Sequence, residues 1–386
     1  MNPSTLKGLP ALALGMLLAG CGGQSLIQAE DPPPVDGQSL GNATVTRHWQ
    51  ADLGTTTPAG YRLSPALHDG RVFAASAEGT VRAFEVEDGE RVWAADLDTP
   101  VTGAVGAGDA GVAVGSADGE VILLDPDDGS VRWRQRLSSE ILAPPAVGQG
   151  SVVVRTGDGG VFAVDADSGE QRWLYRRSVP ALSLRGHSAP VLVNNGVVAG
   201  FDNGRLTALE LDSGDAAWEA TVAVPEGRSD LERMVDLDAD PVVAGGDVFA
   251  GAYQGRLAGI ALADGRIAWT RDVSVLGGVS ADADNVYASD SDGWVWAFDR
   301  RNGASLWRFE ALEGVTLSAP RRYRGDLIVA GSDGYISRIA PGDGELLSRH
   351  RIGNARLSTA PVIAGDRLIQ LDRKGRLHVM TINQNQ

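Results

Sequence analysis

EGTVRAFEVEDGERVW (78–93) is the stretch that decides the fold. Gly79 opens a run of alternating apolar residues, a second Gly turn interrupts it at Asp88-Gly89, and a second run ends on Trp93. The first half recurs as DGEVILL (118–124), DGGVFAV (158–164), NGRLTAL (203–209), QGRLAGI (254–260), DGWVWAF (292–298), DGYISRI (333–339) and KGRLHVM (374–380). The second half recurs as DGSVRW (128–133), SGEQRW (168–173), SGDAAW (213–218), DGRIAW (264–269), NGASLW (302–307) and DGELLS (343–348). The first-half glycines, at 79, 119, 159, 204, 255, 293, 334 and 375, stand 40, 40, 45, 51, 38, 41 and 41 residues apart. A period of about 40 residues, built of short strands and Gly turns, predicts a β-propeller with one four-stranded blade per repeat.

In the fourth copy, 188–192, 196–200, 205–211 and 216–222 read as the inner, second, third and outer strands. Turns such as Asp212-Ser213-Gly214 supply a residue that accepts positive φ. Blades stack on both faces, so a run such as Val121-Ile122-Leu123-Leu124 is continuously apolar where a half-exposed strand would alternate. The eighth cassette, KGRLHVM, is followed by a short tail with no Trp strand. At the other end VTRHWQADL (45–53) is a Trp strand with no cassette before it. The N-terminal strand is therefore expected to pair into the last blade, closing the ring and removing its open edges. The expected fold is all-β: an eight-bladed propeller of four-stranded antiparallel blades over 45–386. Trp49, Trp93, Trp133, Trp173, Trp218, Trp269 and Trp307 share one repeat position and read as packing between neighbouring blades. Ser348 stands in that position in the remaining copy, so its junction is expected to be the loosest.

Residues 1–20 read as a signal peptide. Lys7 supplies the positive start, and the apolar run 9–19 is too short for a permanent membrane helix. It ends Leu18-Ala19-Gly20-Cys21, a lipobox, with Cys21 the acceptor of lipid and the only Cys in 386 residues. Gly22 stands where Asp would favour inner-membrane retention, so the outer membrane is the expected destination. Residues 21–44, with Pro32-Pro33-Pro34, read as a flexible lipid-anchored tether. The chain carries 34 Lys+Arg against 50 Asp+Glu, a net charge of −16. That balance argues against nucleic-acid partners and against broad docking on anionic lipid.

Apparent catalytic and metal motifs dissolve on inspection. Gly106-Ala107-Gly108-Asp109-Ala110-Gly111 matches a dinucleotide-binding pattern, but no helix follows to hold a pyrophosphate, so it reads as a hairpin. Asp236-Leu237-Asp238-Ala239-Asp240 has the opening spacing of a calcium loop, with Pro241 where Gly is required and Asp247 where Glu is usual. The five His (48, 68, 187, 350, 378) show no metal-ligand pairing. Ser64, Ser188 and Ser318 sit in small-residue strand starts around the axis, with no legible His–Asp partners. No catalytic residue, cofactor site or metal set is legible.

Function in a repeat fold concentrates where copies differ. From the repeat Trp to the next inner-strand marker, Trp93 to Gly103 spans 10 residues, Trp133 to Pro145 12 and Trp307 to Pro320 13. Trp173 to Pro190 spans 17 and Trp218 to Pro241 spans 23. These two long connections serve consecutive blades and emerge on one face. They hold Val-Pro-Ala-Leu-Ser-Leu-Arg-Gly (179–186) and Leu-Glu-Arg-Met-Val-Asp-Leu-Asp (231–238), apolar anchors beside charged rims, which suits a protein interface.

Taken together, the lipobox, the Trp repeats, VPALSLRGHSAP (179–190) and MVDLDADPVV (234–243) make the whole chain resemble the BamB family, lipoprotein subunits of the outer-membrane β-barrel assembly machinery. The resemblance implies no enzyme activity and no cofactor. It implies docking on the periplasmic POTRA domains of the barrel subunit, BamA, through Leu182, Leu184, Arg185, Asp236 and Asp238. It further implies a scaffold at the periplasmic face of the outer membrane. There the chain meets the other assembly lipoproteins indirectly, and its strand edges could pair with nascent β-barrel proteins. The rival reading is a quinoprotein dehydrogenase with pyrroloquinoline quinone and calcium at the ring's centre. Those enzymes typically carry a vicinal Cys pair, and this chain has one Cys. A periplasmic sensor binding its ligand at the centre is a third.

Overall fold

The computed structural model describes residues 43–54, 57–58, 60–180, 182–184, 188–226, 228–229 and 231–384. The signal segment, Cys21, most of the tether, and Arg185 lie outside the described residues. All described residues belong to one compact unit, Pro34–Gln386.

Eight antiparallel four-stranded sheets form the ring. Blades 1 to 7 run over 66–96, 101–136, 146–176, 191–221, 242–271, 275–309 and 321–351, each in simple up-and-down order from axis to rim. Blade 8 takes its inner three strands from Val362–Ala364, Arg367–Leu371 and Arg376–Gln384, and its outer strand is Ala43–Asp52. Val45 pairs with Ile382, Ala51 with Leu377 and Asp52 with Arg376, so the first strand closes the ring as the unpaired Trp strand required. In blade 4 the inner strand is only Val191–Val193, shorter than expected, because Pro190 offers no N–H to a ladder. The second and third strands are buried on both faces: Val121, Leu123 and Leu124 are 0% exposed and Ile122 is 1%.

The nucleotide-like glycine run is a hairpin. Val101–Gly108 pairs with Gly111–Ser116, and Gly108 sits opposite Gly111. A Cβ on Gly106 would lie 1.8 Å from the Pro145 carbonyl oxygen, so the missing side chain lets the next blade approach.

Every repeat Trp makes the same bond to the following blade. Nε1–H donates to the carbonyl just past that blade's third strand: Trp49 to Val86, Trp93 to Pro126, Trp133 to Ala166, Trp173 to Leu211, Trp218 to Leu262, Trp269 to Arg300 and Trp307 to Pro341, at 2.6–3.0 Å. Each indole also lies on the Gly of the turn that follows. A Cβ at Gly265, where φ is +72°, would be 2.6 Å from Trp218 Cε3. Only glycine satisfies both the positive φ and the contact.

Ser348 pairs with Arg338 as Trp307 pairs with Ala297, which confirms that it holds the Trp position. The reason it is not Trp lies in the closure. In blade 8 the third and outer strands come from distant parts of the chain, so no turn joins them: the Gly platform is missing, and Ile382, at the position of the accepting carbonyl, lies within the ladder paired with Val45. The blade 7–8 junction uses other groups. Tyr323 Oη donates to the Asp366 carbonyl at 2.7 Å and accepts from the Ile382 N–H at 3.1 Å, and Arg47 Nη2 donates to the Ile352 carbonyl at 2.9 Å. Tyr323, Ile328, Ile336, Leu368, Met380 and Ile382 pack around them.

Truncating a clasp leaves a large cavity and an orphaned carbonyl. Trp218→Ala should cost about 3–5 kcal/mol, whereas Ser348→Ala, whose Oγ is buried without a partner among the described residues, should be near neutral. Thermal unfolding of the two variants measures the contrast.

Candidate functional site

The two long connections rise from the same side of neighbouring blades and are tied together by hydrogen bonds. The Leu184 N–H donates to the Asp236 carboxylate, and the Ala189 N–H donates to Asp240 Oδ1 at 2.7 Å. Both bonds run from the connection before blade 4 to the connection before blade 5. The second connection also makes its own turn: Glu232 Oε2 accepts from the Arg228 and Ser229 N–H groups at 2.7 and 3.1 Å, which lifts Leu231 at the bend. Those bonds hold the Glu232 carboxyl below its ordinary range.

The apolar residues of this face are open. Leu182 is 42% exposed, Leu184 37%, Val224 60% and Leu231 60%. The other four large exposed hydrophobic residues among the described residues, Val131, Leu174, Ile267 and Leu306, are scattered on outer strands of four different blades. Four apolar side chains gathered on two bonded connections make a patch of the kind that marks an interaction surface.

The acidic residues are placed differently from the sequence expectation. Asp236 is 0% exposed and Asp238 3%, so neither forms a solvated rim. Met234 and Val235, read from the sequence as surface groups, are also buried, with Val235 and Leu237 wedged between blades 4 and 5. The physical reason is that this stretch is not a loop crest. It descends along the ring's inner wall to begin blade 5, with Leu237 N–H donating to the Phe201 carbonyl at 3.4 Å and Tyr253 N–H to the Asp236 carbonyl at 2.9 Å. Asp236 reaches sideways to pin the Leu184 backbone, Asp238 faces the axis, and Asp240 holds Ala189. The calcium-loop spacing thus places three carboxylates in three separate settings.

Two further residues belong to this arrangement and were not singled out from the sequence. Arg155 ends the second strand of blade 3 at 1% exposure, and its guanidinium pairs with Asp202, 5% exposed, beside blade 4. The guanidinium also lies 5.8 Å from the centre of the Phe201 ring. A charged residue ending VVVR in a strand buried on both faces was the available signal. One buried cation therefore serves three buried carboxylates. Burial pushes the Asp236 carboxyl up to about 7; the Leu184 N–H opposes this, Asp238 and Asp202 add to it, and Arg155 opposes it. Burial likewise pushes Asp238 up to about 6, against Arg62 and Arg155 and with Asp202.

A ring whose distinguishing surface is a raised apolar patch, held by hydrogen bonds to its own interior, belongs to the class of protein-interaction propellers. The chain is a member of the BamB family: residues 77–309 match the family described as outer membrane protein assembly factor BamB. It is 52% identical over 377 residues, 97% of each chain, to the outer membrane protein assembly factor BamB of Alkalilimnicola ehrlichii. Among solved structures, BamB from Moraxella catarrhalis superposes with a TM-score of 0.81 at 28% identity, covering 88% of this chain and 100% of that one. A quinohemoprotein alcohol dehydrogenase from Pseudomonas putida superposes at 0.71 with 13% identity, over 92% of this chain and 78% of that one. That second likeness extends to the fold alone.

The raised carboxyl at Asp236 has a signed consequence. Its folded pKa of about 7 exceeds the ordinary carboxylate value, so the folded state holds a proton that the unfolded chain releases. Stability from this group is greatest at low pH, falls as pH rises toward about 7, and stays low above it. Asp236→Asn should therefore raise stability at pH 8 by up to about 4 kcal/mol and flatten its pH dependence between about 4 and 7. Asp236→Ala should loosen the loop at every pH. Unfolding curves, and exchange of the Leu184 amide across that range, measure both.

Proposed function

We propose that this chain is a lipid-anchored, non-enzymatic scaffold of the outer-membrane β-barrel assembly machinery, docking on the periplasmic POTRA domains of a BamA-like barrel subunit. The observation that carries the reading is the exposed pair Leu182 and Leu184, held over the ring by the Leu184 N–H bond to buried Asp236. Family membership across nearly the whole length supports it. In this reading Leu182 and Leu184 enter an apolar pocket on the partner, and Arg185 supplies charge-assisted hydrogen bonds at its rim. Val224 and Leu231 widen the same face.

Asp236 and Asp238 act from within. Asp236 sets the height and orientation of the Leu184 backbone, and Asp238 stands behind it on the wall of the axis. Lipid on Cys21 confines the ring to the periplasmic side of the outer membrane, which raises its effective concentration beside the barrel subunit and allows each contact to be weak. Nothing in the proposed role requires a cofactor or a metal.

Leu184→Ala and Arg185→Glu should each weaken capture of the barrel subunit about tenfold or more while leaving the melting temperature of the ring unchanged. Co-purification in mild detergent followed by a binding titration with the isolated partner measures this. Undiminished capture by both variants would sink the docking assignment. Cys21→Ser should move the protein from the membrane fraction to the soluble periplasm, since removing the acyl chains deletes its hold on the bilayer.

A further inference from the structure

The ring's axis holds a cavity of about 640 Å³, within the range of small-molecule sites. Its walls are the leading segments of the inner strands, and its charges are divided by origin. Asp238 and Asp240 come from the start of blade 5. Arg62 comes from the start of blade 1, four blades away around the ring and so across the axis, and Arg321 from blade 7. Arg322 also lines the cavity, but it is engaged with Asp282 at 3.7 Å. Arg62 acts electrostatically on both acids and Arg321 on Asp240, yet no ion pair joins these four residues among the described residues. A second cavity of about 210 Å³ shares Arg62, Ser318 and Ser358 with the first and continues the basic side with Arg356 and Arg373.

Two side chains on this wall are more than nine-tenths buried and carry polar atoms with no partner among the described residues. Asp238, 3% exposed, has a free Oδ1, and Thr359, 7% exposed, a free Oγ1. Asp240 is open to the cavity but lies deep among protein atoms, and this burial pushes its carboxyl up against the pull of the Ala189 N–H, Arg321 and Arg62. Burial also lowers Arg321, with only Asp240 opposing. Opposite charges held apart on facing walls favour a guest that carries both signs at matching ends.

We propose that the axial cavity binds a small zwitterion of the short-peptide class, its ammonium end toward Asp238 and Asp240 and its carboxylate end toward Arg62 and Arg321. Ser64, Ser318 and Thr359 line the space between. This site shares Asp238 and Asp240 with the segment beneath the docking face but does not depend on the role proposed for that face.

The test is calorimetric titration of the detergent-solubilised full-length mature chain with triglycine, beside triglycine acetylated and amidated at its ends. The free peptide should bind at least about tenfold more tightly than the blocked one. Arg62→Gln, at an exposed position, should lose about tenfold in affinity with an unchanged melting temperature and unchanged capture of the barrel subunit. Asp240→Asn keeps an acceptor for the Ala189 N–H while removing the charge, and should lose a similar factor. Absence of binding heat at millimolar triglycine, equal affinity for free and blocked peptides, or an unaltered Arg62→Gln titration would each overturn the proposal. The free-against-blocked comparison on the unsubstituted protein stands even where a variant folds poorly.

Discussion

The ring depends on one contact made seven times: an indole laid on a turn glycine of the next blade, with its N–H bonded to that blade's backbone. A blade alone has two apolar faces and cannot bury either by itself, so its stability comes from its neighbours. The Trp clasp gives each pair of neighbours a fixed spacing, because the glycine admits the ring and nothing bulkier than hydrogen fits beneath it. It also gives them a fixed register, because the carbonyl receives the indole N–H at one height only. Apolar burial supplies most of the free energy, while the hydrogen bond and the glycine supply the geometry.

The position where the clasp is missing shows what it requires. Ser348 faces a blade assembled from distant parts of the chain, in which the turn that would carry the glycine is absent and the residue at the carbonyl position, Ile382, is taken up in the strand ladder. An indole there would have no glycine to lie on. Tyr323 takes over the polar part of the work from inside the blade, bonding the third strand of blade 8 through Ile382 and the turn at Asp366. Blade 8 itself is held together by the ten-residue strand Ala43–Asp52 pairing along Arg376–Gln384. Closure by strand exchange and loss of the Trp are thus one event with two consequences.

Much of this was legible in the sequence because repeats multiply a weak local signal. One DGxVxxx turn says little; eight at a common spacing, with an orphan Trp strand at one end and an orphan cassette at the other, determine blade number and closure. The exposed apolar face was legible only in part. Leu182 and Leu184 could be found because apolar residues in an overlong connection contradict its expected polarity. Asp236 and Asp238 misled, because an acidic residue beside an exposed loop reads as solvated, and linear sequence does not reveal that the chain has turned inward at Met234. Val224 carried no signal, being one Val among many. Arg155 carried a signal in the wrong company: its partners lie 47 residues on and beyond, in other blades, and no local pattern joins them.

The buried carboxylates beneath the loop are unfavourable taken singly, since burial raises Asp236 and Asp238 and Arg155 compensates only partly. Their placement makes sense as a coupling between loop and ring. A loop held by its own contacts would keep its shape independently of the blades, whereas one pinned by a carboxylate at the start of blade 5 inherits its position from the junction between blades 4 and 5. That junction is among the firmly clasped ones, through Trp218, Leu262 and Gly265, and its core includes Val235 and Leu237 on either side of Asp236. The apolar side chains of the proposed docking face are therefore presented at a fixed height by the most regular feature of the fold, which lowers the ordering cost of any contact they make. Replacing the carboxylate by a hydrophobic side chain would favour the interior and free the loop, and the loop's position is what the proposed interface needs.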